Sequence, residues 1–135
     1  MASMAQVRAD MATLLGGISG LTVKDKYADR IEPPCAIVGF PRTIEYEVTF
    51  GKAKASYTFP VHLYVSRYDV EEGVAALDAY VLPTGALSVK FALEAAGPTS
   101  GWDFCNVTSA SGFDAYRIGE IDYLGCEFEV EIIAA

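Results

Sequence analysis

The sequence predicts an α+β domain: a mainly antiparallel or mixed sheet with two to three helices packed on one face. Three observations predict it. Helical and strand periodicities both occur, but they segregate in runs instead of alternating as βαβ units. The chain has 135 residues, and single cores usually fall between roughly 100 and 200 residues. Hydrophobic residues make up 52% and charged residues 21%, which supplies a core and argues against disorder. Residues 1–135 therefore read as a single domain.

The elements follow in order. Residues 3–16 carry Met4, Val7, Met11, Leu14 and Leu15 on one helical stripe, with Ser3 and Gln6 at capping-box spacing and Gly16-Gly17 as the stop. Residues 18–34, with Gly20, Asp25, Asp29 and Pro33-Pro34, predict an extended loop. CAIVGF, residues 35–40, is a short apolar run that predicts a buried strand. TIEYEVTF, residues 43–50, alternates Ile44, Tyr46, Val48 and Phe50 against Thr43, Glu45, Glu47 and Thr49, as a strand with one wet face does. Residues 51–56 read as a hairpin connection holding Lys52 and Lys54. Its partner strand, 57–68, places Tyr57, Phe59, Val61, Leu63 and Val65 on one face. Pro60 cannot donate a ladder hydrogen bond, which predicts an edge or a bulge there.

Asp69 and Glu72 open a helix over 70–82, with Val70, Val74, Leu77 and Val81 facing the core. A further helix is expected over 86–96, with Leu87, Phe91 and Ala95 on one side and Gly97 at its stop. Residues 102–109 and 113–119 predict two strands with a turn at 110–112 between them. In residues 121–134, Leu124, Cys126, Phe128, Val130 and Ile132 alternate with Gly125, Glu127, Glu129 and Glu131, the clearest strand in the chain.

The formal charge of −8 disfavours a protein that reads nucleic acid, because the whole-molecule field repels phosphates. No apolar run approaches the ~18 to 20 residues that span a bilayer. The N-terminal stretch, with Arg8 and Asp10, lacks the long apolar segment of a secretory signal, which predicts synthesis in the cytosol. Cys35, Cys105 and Cys126 form no CxxC and are odd in number, so they read as buried core thiols.

No catalytic constellation emerges. His62 is the one histidine and lies on the strand face opposite Phe59, Val61 and Leu63, so histidine-based metal clusters are excluded. No G-x-S-x-G elbow, Walker A motif or GxGxxG after a strand occurs. GGISG at 16–20 lacks the Lys-Ser/Thr of a phosphate loop and reads as a helix stop. The carboxylates are the conspicuous feature. Glu45 and Glu47, and Glu127, Glu129 and Glu131, each line one strand face at a spacing of about 7 Å. That pattern fits a solvated sheet face, a charged inner wall or subunit interface, or a glycosidase pair or cation site. Lys52 and Lys54 put positive charge at a loop on an acidic body, an asymmetry that favours head-to-tail contacts between copies.

In order and spacing these segments resemble the tail terminator proteins of long, non-contractile-tailed bacteriophages, the actinobacteriophage type in particular. The resemblance runs through GGISGLTV, PPCAIVGFP at 33–41, the hairpin at 44–67, VEEGVAALDAYV, PTGALSVKFALEA with its Gly-x-x-Ser core, and IDYLGCEFEVEI. It covers most of the chain, and none of the segments is a catalytic signature. It implies a virion structural protein, not an enzyme, with no cofactor or metal. Copies would form a hexameric ring that caps the tail tube, ends its polymerisation and offers a surface to the head-tail connector or stopper protein. The partners implied are the chain itself, the tail tube protein and that connector, with DNA passing through unbound and no membrane involved. The location implied is the head-proximal end of the tail, after assembly in the host cytoplasm. Glu45, Glu47, Glu127, Glu129 and Glu131 are the lumen candidates, and Lys52 and Lys54 the candidates for meeting a partner ring. The alternatives are another head-tail joining or minor tail protein, or a small cytosolic ligand-binding domain.

Overall fold

The computed structural model describes residues 4–18, 20–24, 34–46, 55–67, 73–95, 97, 102, 104–118 and 120–134. Among them the chain order is α1 (Met4–Gly16), β1 (Thr22–Lys24), β2 (Cys35–Val38), β3 (Thr43–Glu45), β4 (Ala55–Arg67), α2 (Gly73–Val81), α3 (Val89–Glu94), β5 (Phe104–Ile118) and β6 (Ile121–Ala134). The fold is α+β, with a six-stranded mixed sheet ordered β1-β2-β4-β6-β5. β3 pairs with β4 beyond the end of β2. Only β1 and β2 run parallel, and every other pair is antiparallel.

The alternation of β4 and β6 builds the core. Phe59, Val61 and Leu63 lie opposite Val130, Phe128 and Cys126, all on one face and all buried. Against that face pack Val7, Met11 and Leu15 of α1, Leu77 and Tyr80 of α2, and Val89 and Leu93 of α3. All three helices therefore cover the same side of the sheet. Burying a large apolar side chain contributes roughly 1.5–3 kcal/mol, so this single layer of contact supplies most of the driving force. Ser88 caps α3 by accepting from the Phe91 backbone N–H at 3.1 Å. Among the described residues no helix is long and apolar enough to cross a membrane.

The structure departs from the sequence expectation at five places. Residues 22–24 form β1 where a loop was expected, because Thr22, Val23 and Lys24 pair with Cys35, Ala36 and Ile37. Pro60 lies in the interior strand β4, at neither an edge nor a bulge; the β4 irregularity comes later, between Tyr64 and Ser66. Its missing N–H costs nothing because its backbone faces the junction between β2 and β3. There the Gly39 N–H donates to the Pro60 carbonyl at 2.9 Å, and the Arg42 N–H donates to that of Thr58 at 2.7 Å. Tyr46 is 76% exposed, so the inward row of β3 ends at half-buried Ile44. Phe91 is also exposed. The buried face of α3 is Val89 and Leu93, a second i, i+4 set that periodicity cannot rank against Leu87, Phe91 and Ala95.

The fifth departure is β5, one strand of 15 residues with no turn at 110–112. It absorbs the irregularity as two register shifts, at Val107/Ser109 and Ser111/Asp114. Gly112, at φ 67°, supplies the left-handed residue that such a bulge uses.

Gly125 is the most closely approached of the described glycines. It faces Tyr64 across the ladder, and a Cβ there would lie 2.3 Å from the Leu63 carbonyl oxygen and 2.9 Å from the Tyr64 ring. The nearest obstacle is backbone, which cannot swing aside. Gly125→Ala is therefore expected to destabilise the domain by about 1–3 kcal/mol, the usual range for overpacking. Urea unfolding checks it, and a midpoint equal to that of the unaltered chain would contradict the crowding.

Candidate functional site

The face of the sheet away from the helices carries the glutamates. Glu127, Glu129 and Glu131 occupy alternate positions of β6, facing His62, Pro60 and Thr58 of β4. On the other side of β6 they face Ser111, Ser109 and Asn106 of β5. Glu45 joins the same face through the row Glu45, Ser56, Ile133, Phe104. Four of the seven residues singled out by sequence thus share one open surface. Glu47, Lys52 and Lys54 lie outside the described residues.

The row is graded in exposure and in partners. Glu129 and Glu45 are exposed, while Glu127 and Glu131 are half-buried. Glu127 is ion-paired with Arg42. Glu131 accepts a weak hydrogen bond at 3.5 Å from the Ser56 hydroxyl. Glu129 lies between Pro60 and Ser109, and so presents its charge to solvent. Among the described residues no three His, Cys, Asp or Glu side chains are grouped to hold a metal ion. The surface is a strip of negative charge rather than a convergent site.

Beside the acidic strip lies an apolar cluster that the sequence did not reveal. Cys35, Ile37, Tyr64 and Tyr123 are buried on this same face, packed by Tyr116, Ile118 and Ile121. Tyr64 and Tyr116 meet edge to face at 5.8 Å and 75°, the geometry ring quadrupoles favour. These residues are scattered over four strands, and only the register unites them. β2 is therefore buried on both faces, which explains why CAIV reads as a continuous apolar run.

His62 sits where the two zones join, between Ile37 and Glu127. Burial lowers its pKa below the ordinary 6.5, and the Arg42 charge lowers it further. The three thiols are unpaired with one another; Cys35 and Cys126 are buried and Cys105 is half-buried, less enclosed than expected. Burial pushes the Cys126 thiol up to about 12. Cys105 reaches about 12 through burial, then the Glu94 charge, against an opposing effect of Lys90. At neutral pH both are thiols rather than reactive thiolates.

On the helical side, an apolar hollow of about 490 Å³ lies between the end of α1, the turn before α3 and α3 itself. Leu14, Ile18, Ala86, Phe91 and Ala92 line it together with Thr84 and Ser88, and none of the described lining residues is charged. The Ser88 hydroxyl is already engaged, donating to the Leu82 carbonyl and accepting from Phe91. The hollow lacks the convergent polar groups that orient a substrate.

Large apolar side chains stand exposed along both lateral edges of the sheet. Phe40, 63% exposed, and Tyr46 lie on the β2–β3 side, and Phe104 and Phe113 lie on β5. Arg8 stacks over Phe40 at 4.3 Å and donates to the Val38 carbonyl at 3.1 Å. No protein-family model matches the chain, and no curated protein sequence matches it.

The His62 environment sets a pH dependence. Its folded pKa lies below the unfolded one, so the unfolded chain binds the proton first as pH falls. The stabilising term is complete above about 6.5 and is lost as pH falls from there through the folded pKa. Stability is expected to fall as pH drops below about 6.5, and to fall less steeply in His62→Gln. Denaturant titrations across that range check it. Equal slopes for the two proteins would show that His62 does not carry the dependence.

Proposed function

We propose that this chain is a virion structural protein of the tail-terminator type, acting as a ring of identical copies at the head-proximal end of a long non-contractile phage tail. The observation that carries this reading is the division of the sheet. One face is sealed by helices, the other is an open strip bearing Glu45, Glu127, Glu129 and Glu131, and both lateral edges bear exposed aromatic side chains. Opposite edges of one molecule meet head to tail, and head-to-tail contacts that close make rings. Phe40 and Tyr46 on one edge and Phe104 and Phe113 on the other are the side chains through which those contacts would be made.

In such a ring the open face turns toward the lumen. A wall of carboxylates repels DNA phosphates and lets the duplex slide without adhering. The helical face, with its apolar hollow, is then available to the tube or to the head-side connector. Binding and shape are the whole of the proposed activity, with no catalytic step and no cofactor. The order of segments resembling tail terminators supports this reading independently of the surface argument.

Glu45 and Glu129 are the residues to test, because both are exposed and neither forms an ion pair among the described residues. The double variant Glu45→Lys/Glu129→Lys is expected to assemble tails of normal length but to slow DNA ejection. Ejection followed by dye fluorescence in receptor-triggered virions reads the effect. Unchanged ejection kinetics would remove the acidic strip from the lumen.

A further inference from the structure

β5 is the lateral edge of the sheet among the described residues. An unpaired edge strand is a template for a strand from another chain. In an antiparallel ladder, successive residues point their backbone N–H and C=O alternately toward and away from the partner. Val107, opposite Val130, turns both groups away from β6. Those two groups are nevertheless satisfied. The Val107 N–H donates to Glu94 Oε2 at 2.9 Å, and its carbonyl accepts from Lys90 Nζ at 3.2 Å. Lys90 and Glu94 stand four residues apart on α3 and are ion-paired with each other at 2.5 Å. One acceptor and one donor thus meet the same residue, which is the pair of bonds a neighbouring strand would make.

Among the described residues the rest of the edge is guarded less. Ala110 lies opposite Phe128, two residues along β6 from Val130, so its backbone also faces outward. The stretch from Phe104 to Phe113 contains no charged residue, although the chain carries a net −8. Two copies of this stretch therefore lie side by side with no like charges opposed, whereas most other surfaces of two such acidic molecules repel.

We propose that the Lys90–Glu94 pair is an autoinhibitory contact: it fills the strand-addition site at Val107 and keeps β5 from pairing with the β5 edge of a second copy. Displacing the pair opens a continuous edge from Cys105 to Ala110. This inference does not rest on the ring reading, since it concerns how two copies meet at β5 whatever the chain's role.

Sedimentation of the Lys90→Ala/Glu94→Ala variant tests it. The weight-average mass is expected to rise with concentration above that of the unaltered chain. Glu94→Gln, which keeps an acceptor oxygen, is expected to track the unaltered chain. Adding Ala110→Pro to the open variant is expected to abolish the excess, because proline removes an outward donor without breaking a bond to β6. An open variant that sediments like the unaltered chain, or an excess mass that survives Ala110→Pro, would overturn the proposal. Amide exchange in the unaltered chain gives a reading that needs no variant. The Val107 amide is expected to exchange at least about tenfold more slowly than that of Ala110, and equal rates would show that the edge is not guarded.

Discussion

The pairing of β4 with β6 is the constraint on which the rest of the structure depends. Because side chains alternate across a strand, this one register decides what every residue on both strands faces. It places Phe128, Val130 and Ile132 under the helices and Glu127, Glu129 and Glu131 on the open side. A slip of one residue would bury three carboxylates, each at a cost of several kcal/mol. A whole domain is stable by only about 5–15 kcal/mol, so the slipped register cannot compete. The same ladder brings Gly125 under Tyr64, which seats the tyrosine cluster at one end of the open face.

From that ladder the sheet acquires two unlike faces and two unlike edges. The covered face is conventional packing. The open face is half acidic and half apolar, with His62, Arg42 and Glu127 at the join. One edge combines the short strands β1 and β3, and the other is the long strand β5. Two unlike edges are what the proposed head-to-tail contact would join. The Lys90–Glu94 pair on α3 occupies the outward backbone groups of Val107 on that second edge.

Much of this was legible in the sequence. The strict alternation of 121–134 and 57–65 marked β6 and β4 as strands, and in β6 it marked the face on which Glu127, Glu129 and Glu131 stand. The amphipathic stripe of α1 was equally plain, with Val7, Met11 and Leu15 fully buried. What escaped depends on partners distant in the chain. Thr22–Lys24 is a strand only because β2 lies beside it. Pro60 reads as an edge signal, yet it sits in mid-sheet because the crossing from β2 to β3 leaves its nitrogen nothing to donate to. The residues 110–112 look like a turn, but a glycine bulge keeps β5 running. Lys90 and Glu94 look like an ordinary i, i+4 surface pair, and only the fold brings Val107 between them. The tyrosine cluster has no local signature at all.

The central claim is that this chain works by assembling, as a ring at the end of a tail with its acidic face inward. Gold-labelled antibody against the chain, imaged by electron microscopy on head-free tails and on whole virions, tests it most directly. The account predicts label at the head-proximal end of both particles. Label at the neck of whole virions with bare head-free tails would place the chain on the head side of the joint, and absence of label from both would contradict the account altogether.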